Sequence, residues 1–322
     1  MNFPATRRQI VGIYNTAYGL KLNNCYIEVV SENQMNLVGV FNNGNLDTHM
    51  ETRADNLVIE NSHIKVQIVQ GGTKESTSYG IYNNLANSIS LQNTFVYSTN
   101  IGTGKNQAAI GVFTNGRFGR FLGNNIKANG SHNKGNLKEQ AYTYGFVNEG
   151  LYNLIEGNNI IGEWGGQCIG LENKGDFAKV SGNKILATHT IKGRSVRNYA
   201  NDSIFDGNIL TSTSRNPRLF EQEGCNCIIT NNVMEGLMLP QTYQSSVGIY
   251  ATAEKATENL ISQNIIKNVC NCGIFAHKNI GLVQNNIITT YAESYGFIKQ
   301  GIKTNEELAS KLDENRIYSI FD

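Results

Sequence analysis

The segment Glu156-Gly157-Asn158-Asn159-Ile160 returns 25 residues later as Ser181-Gly182-Asn183-Lys184-Ile185, and then once more as Asp206-Gly207-Asn208-Ile209. Related copies, in which asparagine follows an apolar run and precedes another, extend from Leu22 to Ile287 at steps of 22 to 37 residues. A second phrase lies about 13 residues before each copy, as in Gly145-Phe146-Val147-Asn148. Internal repetition at such steps indicates that small structural units are stacked in a row.

Each repeat contains at least two short runs of apolar residues that end at a turn residue, which predicts short β-strands. A step of 22 to 25 residues built from such strands is one coil, and successive coils stack with parallel strands about 4.8 Å apart. The chain contains 45 asparagines. Asparagine tolerates left-handed turns, and stacked side-chain amides exchange hydrogen bonds between layers. We therefore expect columns of asparagine that run from coil to coil.

Two other repeat folds fit less well. Leucine-rich repeats have a similar length and a fixed asparagine, but leucine does not dominate the apolar positions and most repeats lack an amphipathic helix. A left-handed hexapeptide coil requires a period of six, which is absent. The sequence predicts an all-β chain, a single-stranded right-handed parallel β-helix of about ten coils that occupies residues 1–303.

Residues 304–322 differ in character and are expected to form a C-terminal cap. Thr304 and Glu307 have the spacing of a helix capping box, and the pattern predicts a short helix that ends near Asn315. Ile317 to Phe321 read as a last strand. A helix here would cover the open strand edges of the last coil. The first coil begins near Ile10 with little room for a cap, so an upstream domain or another protein is expected to pack there.

Composition excludes several classes of protein. Lys plus Arg is 27 and Asp plus Glu is 26, and no basic stripe suggests a nucleic-acid partner. No apolar stretch approaches the roughly 20 residues that cross a bilayer. The N-terminus has no apolar signal core. The two Cys-Asn-Cys pairs, Cys225/Cys227 and Cys270/Cys272, have unusual spacing for zinc and are interpreted as buried free thiols.

The Gly-Asn-Asn-Ile and Gly-Asn-Lys-Ile phrases, in coils of 22 or more residues, resemble the pectate-lyase-like superfamily of right-handed parallel β-helices. This superfamily includes polysaccharide lyases, polygalacturonase-type hydrolases and phage tailspikes. The resemblance spans Val11 to about Gly301 and implies an extended carbohydrate ligand along one face. It implies an extracellular, cell-surface or virion location. The motif set of the polygalacturonase-type hydrolases is absent, apart from the single match Asn45-Leu46-Asp47.

Two functions from different classes follow as hypotheses. The first is a carbohydrate-active protein that binds and cleaves an acidic polysaccharide by lyase or glycoside-hydrolase chemistry. The second is a non-catalytic structural or adhesion module, such as a tailspike or surface-fibre component, which would assemble as a homotrimer. The fold resemblance, the basic connecting segments and the charged run at residues 47–55 favour the first hypothesis, which is the main prediction. The missing catalytic motifs, the absent signal peptide and the uncapped first coil favour the second, which is the alternative.

One group of candidate catalytic residues lies in an insertion that makes its coil about nine residues longer than others. Charged side chains occupy every second position from residue 47 to residue 55, so an extended backbone would place them on one face. A histidine with carboxylates can perform acid–base chemistry or hold a divalent cation, for which calcium (Ca2+) is the candidate. The alternative is a solvated loop edge. The residues are Asp47, His49, Glu51, Arg53 and Asp55.

A second candidate is Arg197, which adjacent coils would place over Glu221. We align these two residues with the first asparagine column, where they would replace asparagine, and Arg194 and Glu223 lie nearby. Arginine can bind a sugar carboxylate bidentately or stabilise a developing enolate. The alternative is an ion pair that replaces one step of the ladder.

Aromatic residues precede this column in most coils and are expected to form a stacked core, since large exposed apolar stripes are rare. Facing outward, they would form a platform for sugar rings. They are Tyr14, Phe41, Tyr82, Phe113, Phe220, Tyr250 and Phe275.

Long connections at 65–79, 96–109, 127–144 and 234–247 are expected to carry substrate-binding residues, and the first three are more basic than the chain as a whole. Trp164 follows in a glycine-rich turn, where it could stack on a sugar or anchor the turn. The candidate substrate-binding residues are Lys105, His132, Lys134, Tyr142 and Trp164.

Overall fold

The computed structural model describes residues 9–32, 35–44, 54–69, 75–102, 107–131, 141–188, 192–214, 217–236, 246–251, 254–269, 272–276, 280–292, 300–303, 312–313 and 315–321. In this part of the chain every regular element is a β-strand. The strands form three parallel sheets, and consecutive strands of the chain enter sheets 1, 2 and 3 in turn.

Sheet 1 contains β1 (Gln9–Asn15), β4 (Asn36–Asn43), β7 (Thr77–Asn84), β10 (Ala108–Thr114), β13 (Tyr142–Asn148), β16 (Gln167–Asn173), β19 (Lys192–Asn198), β22 (Arg218–Gln222), β25 (Val247–Ala251), β28 (Cys272–Ala276) and β31 (Gln300–Lys303). Sheet 2 contains β2 (Lys21–Asn23), β5 (Val58–Glu60), β8 (Ser90–Gln92), β11 (Arg120–Leu122), β14 (Leu154–Glu156), β17 (Lys179–Ser181), β20 (Ile204–Asp206), β23 (Ile228–Thr230), β26 (Asn259–Ser262), β29 (Gly281–Gln284) and β32 (Leu312–Asp313). Sheet 3 contains β3 (Tyr26–Ser31), β6 (His63–Ile68), β9 (Phe95–Asn100), β12 (Asn125–Asn129), β15 (Asn159–Glu163), β18 (Lys184–Thr188), β21 (Ile209–Ser212), β24 (Val233–Gly236), β27 (Ile265–Val269), β30 (Ile287–Ala292) and β33 (Arg316–Phe321).

One strand from each sheet makes one coil, which we call a rung, and the described strands form eleven rungs. Each strand from β1 to β30 pairs in parallel with the strand three places further along the chain. Parallel strands joined in this way are connected with right-handed geometry. The chain is therefore a right-handed parallel β-helix, which confirms the fold predicted from the repeats.

Inward side chains of the three sheets form one continuous apolar core. It includes Val66, Phe121, Ile155, Leu210 and Ile274, which are fully buried. Because strand side chains alternate, the same strands present an outer face to solvent or to connecting segments.

A column of glycines in sheet 1 lets that sheet approach sheet 3. A Cβ atom on Gly145 would lie 2.6 Å from Ile160 Cγ2 and 2.6 Å from the carbonyl oxygen of Gly170. Eight other rungs also have glycine here. Rungs 7 and 8 instead have Ser195 and Leu219. In the sheet 3 column that contains Ile160, those two rungs have Leu210 and Met234. Leucine and methionine are not branched at Cβ, so they lack the Cγ2 atom that occupies the space next to the glycine in rungs such as that of Ile160. A residue with a side chain therefore fits in rungs 7 and 8.

The asparagines of the repeated phrase belong to two adjacent columns at the corner between sheets 2 and 3. The outer column has left-handed backbone and consists of asparagine, glycine or glutamine, such as Asn61, Gly157 and Gln263. The inner column is a buried asparagine ladder. In it, the Asn124 side-chain amide donates to Asn158 Oδ1 over 2.9 Å, and Asn158 donates to Asn183 over 2.9 Å.

A second asparagine ladder ends the strands of sheet 1. Asn15, Asn42 and Asn83 are joined by 2.7 Å hydrogen bonds. Further along, Asn173 donates to Asn198 over 2.8 Å. Asn198 donates in turn to Gln222 over 3.0 Å. The ladder predicted from the asparagine content is thus present at two positions of each coil over much of the helix.

The turn between sheets 1 and 2 contains three aromatic residues with left-handed backbone, Phe118, Tyr152 and Phe177. This conformation costs a bulky residue on the order of 1–2 kcal/mol. Their rings stack in succession, with centroids 5.4 Å and 4.8 Å apart. Such pairs contribute about 0.5–1.5 kcal/mol each, so the stack offsets part of the strain.

The C-terminal segment is described only in part. Residues 304–311 of the predicted helix lie outside the described residues, and Leu312–Asp313 forms a strand that pairs with β29 instead of ending a helix. The strand predicted at Ile317 to Phe321 is present as β33. The division into a helix domain and a cap at residue 303 stays a prediction.

Candidate functional site

The outer face of sheet 1 carries two columns of side chains. In each rung the first outward residue lies four positions before the ladder residue, and the second lies directly before it. Column a is Val11, Val38, Tyr79, Ile110, Tyr144, Ile169, Arg194, Arg218, Val247 and Cys272. Column b is Tyr14, Phe41, Tyr82, Phe113, Val147, Glu172, Arg197, Glu221, Tyr250 and Phe275.

In rungs 2 to 5 both columns are apolar and form a cluster separate from the main core. Tyr79, Tyr82, Ile110 and Phe113 are each no more than 3% exposed. Burial, followed by the negative charge of Glu149, raises the pKa of Tyr82 to about 12. Burial also raises the pKa of Tyr79. This half of the face is apolar and mostly buried, so most of its side chains are not accessible to a ligand.

In rungs 6 to 8 the same columns become charged. Register places Arg197 between Glu172 and Glu221, and it places Arg194 beside Arg218. We call Arg194, Arg197, Arg218, Glu221 and Glu223 the arginine cluster. The cluster exists because coils of 24 and 25 residues bring the charged positions of β19 and β22 into register.

Glu221 is the centre of the arginine cluster and is 4% exposed. Its carboxylate accepts hydrogen bonds from Arg194 Nε and Arg218 Nη1. Arg197 Nε lies 3.2 Å from Glu221 Oε2, and Arg197 Nη2 donates to Glu223 Oε1 over 3.0 Å. Three guanidinium groups thus share two carboxylates, which leaves one positive charge in excess within the cluster, whereas the adjoining Lys174, Glu172 and Glu149 have one negative charge in excess.

Two tyrosine rings support the guanidinium groups. Arg218 Cζ lies 3.6 Å from the centroid of Tyr250, and Arg197 Cζ lies 4.4 Å from that of Tyr199. A guanidinium stacked on an aromatic ring keeps its N–H edge free for hydrogen bonds in its own plane. The rings therefore hold Arg197 and Arg218 in fixed orientations while part of each side chain stays accessible.

A second set of charges adjoins the cluster in rungs 5 and 6. Lys174 Nζ lies 2.8 Å from Glu172 and 3.1 Å from Glu149. Burial disfavours the charged form of Lys174, but the hydrogen bonds that the lysine donates to Glu172 and Glu149, together with the charges of those carboxylates, outweigh it and raise the pKa of the lysine. At Arg197 burial is likewise outweighed, by Glu221 and Glu223, and its pKa is raised. Burial, followed by Glu172, raises the pKa of Tyr144.

This arrangement is suited to binding an anion. The oxygens of Glu221 are occupied by three arginines, so this residue orients guanidinium groups rather than accepting a proton from a substrate. The remaining guanidinium N–H groups can donate to a carboxylate or sulfate in bidentate geometry. Arginine in such a position can also stabilise an enolate in a transition state.

The structure brings Arg197 and Glu221 together as predicted, but it corrects their column. The ladder positions of rungs 7 and 8 are Asn198 and Gln222, and Arg197 and Glu221 lie one residue earlier on the outer face. They therefore do not replace a ladder step. The phrase that guided our alignment begins with glycine, and both rungs lack that glycine, which explains the error of one residue.

Other candidate residues are only partly described. Asp47, His49, Glu51, Arg53, Lys105, His132 and Lys134 lie outside the described residues. Asp55 is in the turn before β5, where its Oδ1 accepts from the backbone N–H of Asn87 over 2.6 Å. Tyr142 is the first residue of β13, one coil from the charged rungs. Trp164 is half-buried after β15 and has a φ of 59°.

The long connections are shorter than their sequence pattern predicted, because both ends of each belong to strands. Lys65 and Tyr79, for example, are inside β6 and β7. All four connections lead from sheet 3 to sheet 1, so they enter the same side of successive or nearby coils.

The aromatic stripe lies on the outer face of sheet 1 rather than in the main core, although Tyr82 and Phe113 are buried in the second cluster. Phe220 does not belong to the stripe. It pairs with Val196 and Ile249 in the main core, where it packs on Phe205 with ring centroids 4.9 Å apart. Adjacent columns are both apolar in these coils, so their alternation could not reveal which one faces inward.

Sequence reasoning missed Arg218, Tyr199 and Tyr250 as members of the site. Arg218 follows Arg194 by 24 residues, the same interval that separates Arg197 from Glu221. The coil length of 24 residues was therefore sufficient to place Arg218 beside Arg194.

The described cysteines are free thiols. Cys168, Cys227 and Cys272 are buried, while Cys25 and Cys225 are half-buried. Burial raises the pKa of Cys168 to about 12. Among the residues with a described placement, no three His, Cys, Asp or Glu side chains are arranged to hold a metal ion. The described chain also contains no helix that is long and apolar enough to cross a membrane.

No protein-family model matches this chain, and no curated protein matches it. Among solved structures, the Dettilon tailspike protein (gp208) is similar, with 15% sequence identity and a TM-score of 0.49. The match covers 92% of this chain and 61% of that one, so this chain spans less than two thirds of the length of the solved structure.

Proposed function

We propose that the outer face of sheet 1 binds an acidic polysaccharide and that the arginine cluster holds one of its anionic groups. The observation that carries the proposal is the convergence of Arg194, Arg197 and Arg218 on the buried carboxylate of Glu221. The guanidinium groups of Arg197 and Arg218 are partly exposed, and their planar donors match a sugar carboxylate.

The shape of the face favours a polymer over a small anion. In rungs 7 to 10 the side chains of Arg197, Arg218, Tyr250 and Phe275 are partly exposed, so a chain that lies along this part of sheet 1 meets successive rungs about every 4.8 Å. Tyr199 and Tyr250 provide amphipathic rings beside the anion site. An acidic polysaccharide as ligand corresponds to an extracellular, cell-surface or virion location for the protein.

Cleavage of the bound polysaccharide is part of the proposal. A lyase would use Arg197 against the enolate that forms when the proton next to the sugar carboxylate is removed. A hydrolase would need two carboxyl groups flanking the scissile bond. Asp47, His49, Glu51 and Arg53 are the residues proposed for acid–base chemistry. Lys105, His132, Lys134, Tyr142 and Trp164 are proposed to contact the substrate.

The second candidate function is a structural or adhesion module without catalysis. It is favoured by the pairing of carboxylates on the described part of this face, since Glu149, Glu172, Glu221 and Glu223 each contact a lysine or arginine. None of these four side chains is available as a free general base.

The test is incubation with a panel of acidic and neutral polysaccharides, with and without calcium, followed by binding and product assays. Absorbance of unsaturated products means β-elimination, reducing ends without that absorbance mean hydrolysis, and binding without products means an adhesion module. We expect Arg218→Ala to weaken binding of acidic polysaccharides at least tenfold. Arg120→Ala, on the exposed outer face of sheet 2, should leave it unchanged. Equal binding by both variants, or no binding to any acidic polysaccharide, would refute the proposal.

A further inference from the structure

The turn between sheets 1 and 2 contains a left-handed residue at one equivalent position of rungs 1 to 9, and we call these residues the turn column. Their φ angles lie between 53° and 73°. From rung 1 to rung 8 each of them donates its backbone N–H to the carbonyl oxygen just before the next member, as Phe177 does to Asn201 over 3.2 Å. The members are Gly19, Asn56, Ser88, Phe118, Tyr152, Phe177, Asp202, Asn226 and Glu258.

The three aromatic members, which we call the aromatic stack, are the least suited to this backbone. Glycine and asparagine adopt a left-handed conformation readily, whereas a bulky side chain is strained in it. The fold has glycine here in rung 1 and asparagine in rungs 2 and 8, so the turn itself does not require a ring. Stacking offsets only part of the strain of Phe118, Tyr152 and Phe177. Strained positions that the fold does not require are concentrated at functional sites.

The aromatic stack is also exposed. Phe118, Tyr152 and Phe177 are 56%, 48% and 45% exposed. Adjacent ring planes are within 9° of parallel, and their centroids lie 5.4 Å and 4.8 Å apart. Carbon atoms in contact are about 3.5–4.0 Å apart, so the rings are offset like overlapping tiles and each leaves part of a face open. The stack is therefore an accessible aromatic surface that is three rungs long.

The stack adjoins the arginine cluster at its rung 6 end. Phe177 lies in the turn that follows Lys174, and this turn is hydrogen-bonded to the rung 7 turn that follows Arg197 and Tyr199. A polymer that is held at the cluster and continues toward rung 5 meets buried side chains on sheet 1, such as Val147, which is 4% exposed. If the polymer crosses the turn instead, it meets the exposed ring of Phe177. The stack is therefore the accessible continuation of the anion site in this direction.

Charges around the stack favour a neutral sugar there. Two carboxylates, Asp176 and Asp202, flank Phe177 in the turns of rungs 6 and 7, and Lys179 on sheet 2 balances one of them. The ammonium group of Lys174 is already paired with two carboxylates. A second anionic group at this end of the stack would therefore be repelled. A neutral sugar ring has a face of C–H groups that packs on an aromatic face, and hydroxyl groups that can donate to a carboxylate.

We propose that the aromatic stack is a second subsite of the polysaccharide site, where a neutral sugar packs on Phe177 and Tyr152 while the arginine cluster holds an anionic sugar. This inference rests on the proposed function and names its substrate class, which is an acidic heteropolysaccharide whose repeating unit combines anionic and neutral sugars. A polymer of uronic acid alone places a second anion beside Asp202 and binds more weakly.

The test measures the affinity of the full chain for two sets of polymers. The mixed set is hyaluronate, gellan and xanthan, and the uniform set is polygalacturonate and alginate. Phe177→Asn removes one ring and introduces the residue that rungs 2 and 8 have at this position. The matched control is Phe118→Asn, which makes the same change in the same column but two rungs further from the cluster. If Phe177→Asn fails to fold, Phe177→Gly takes its place, since rung 1 has glycine there.

We expect the natural chain to bind at least one mixed polymer about tenfold or more tightly than either uniform polymer. Phe177→Asn should weaken that binding by about tenfold or more. Its thermal midpoint should be no lower than that of the natural chain, because asparagine relieves the backbone strain. Phe118→Asn should bind as the natural chain does.

Equal binding by the natural chain and Phe177→Asn would overturn this proposal, whatever the thermal midpoint of the variant. An equal loss in Phe118→Asn, or a preference for the uniform polymers, would overturn it as well. Failure of the proposed function gives a different result, in which Arg218→Ala binds acidic polymers as tightly as the natural chain does while Phe177→Asn still weakens binding. Binding to none of the polymers would overturn both proposals.

Discussion

At the scale of single residues, Gly145 shows why packing between sheets 1 and 3 requires glycine at one position of most rungs. Its missing Cβ makes room for Ile160 Cγ2 and for the carbonyl oxygen of Gly170. We expect Gly145→Ala to destabilise the fold by about 1–3 kcal/mol, the usual cost of overpacking. Adding Ile160→Leu should recover part of the loss, because rung 7 combines Ser195 with Leu210. Thermal unfolding of the single and double variants measures both effects.

The control for this prediction is Gly182→Ala, where an added Cβ would meet no atom within 4 Å. That glycine has a φ of 62°, so its substitution costs only backbone strain of roughly 1–2 kcal/mol. If Ile160→Leu worsens Gly145→Ala, the contact with Ile160 does not explain the glycine column.

The ladder residue Asn158 is predicted to be far more important than its neighbour Asn159. Asn158 accepts two hydrogen bonds from Asn124 and donates to Asn183 and to the carbonyl oxygen of Phe121. Asn158→Ala leaves these buried partners unsatisfied, and we expect a loss of about 3 kcal/mol or more in the free energy of unfolding. Asn159 is half-exposed and donates one bond to Asn125, so Asn159→Ala should cost below about 1 kcal/mol. Equal losses in urea unfolding would contradict the ladder account.

At the scale of elements, β19 and β22 form the charged part of sheet 1, and Glu221 holds their arginines together. Glu221→Ala removes the shared partner of Arg194, Arg197 and Arg218, and we expect a destabilisation of about 3 kcal/mol or more. Glu223→Ala is the matched control, since its side chain is 31% exposed and its ion pair contributes below about 1 kcal/mol. A stable Glu221→Ala protein would mean that the arginines do not depend on this carboxylate.

The sequence was sufficient to predict the fold because the coil length can be counted between repeats. Counting 24 residues from Arg197 reaches Glu221, and this contact is confirmed. Arg197 and Glu221 were wrongly assigned to the asparagine ladder instead of to column b. The reason is that Ser195 and Leu219 replace the glycine that marks the start of the repeated phrase in other rungs. Arg218 was missed although the same count from Arg194 reaches it.

The orientation of the aromatic stripe could not be obtained from sequence. Tyr82 in column b and its inward neighbour Ile81 are both apolar and buried, so polarity does not distinguish the two faces. The charged run from Asp47 to Arg53 lies outside the described residues, and its role stays a prediction.

At the scale of the whole molecule, the buried tyrosines make stability sensitive to alkaline pH. The pKa of Tyr82 is raised from its ordinary value of 10.0 to about 12, chiefly by burial. The unfolded chain releases this proton near pH 10, whereas the folded protein retains it. Stability is therefore complete below pH 10 and is lost as pH rises toward 12. Tyr82→Phe should reduce this loss in unfolding measured across that range. If every tyrosine of the native protein ionised near pH 10, this prediction for Tyr82 would be contradicted.

The central claim is that a right-handed β-helix presents a polysaccharide-binding face on sheet 1, and a structure of the protein with a bound acidic oligosaccharide tests it most directly. The account predicts that the oligosaccharide lies over the outer face of sheet 1 in rungs 7 to 10 and that one of its anionic groups accepts hydrogen bonds from Arg197 or Arg218. An oligosaccharide bound over the outer face of sheet 2 or sheet 3, with the arginine cluster unoccupied, would contradict it.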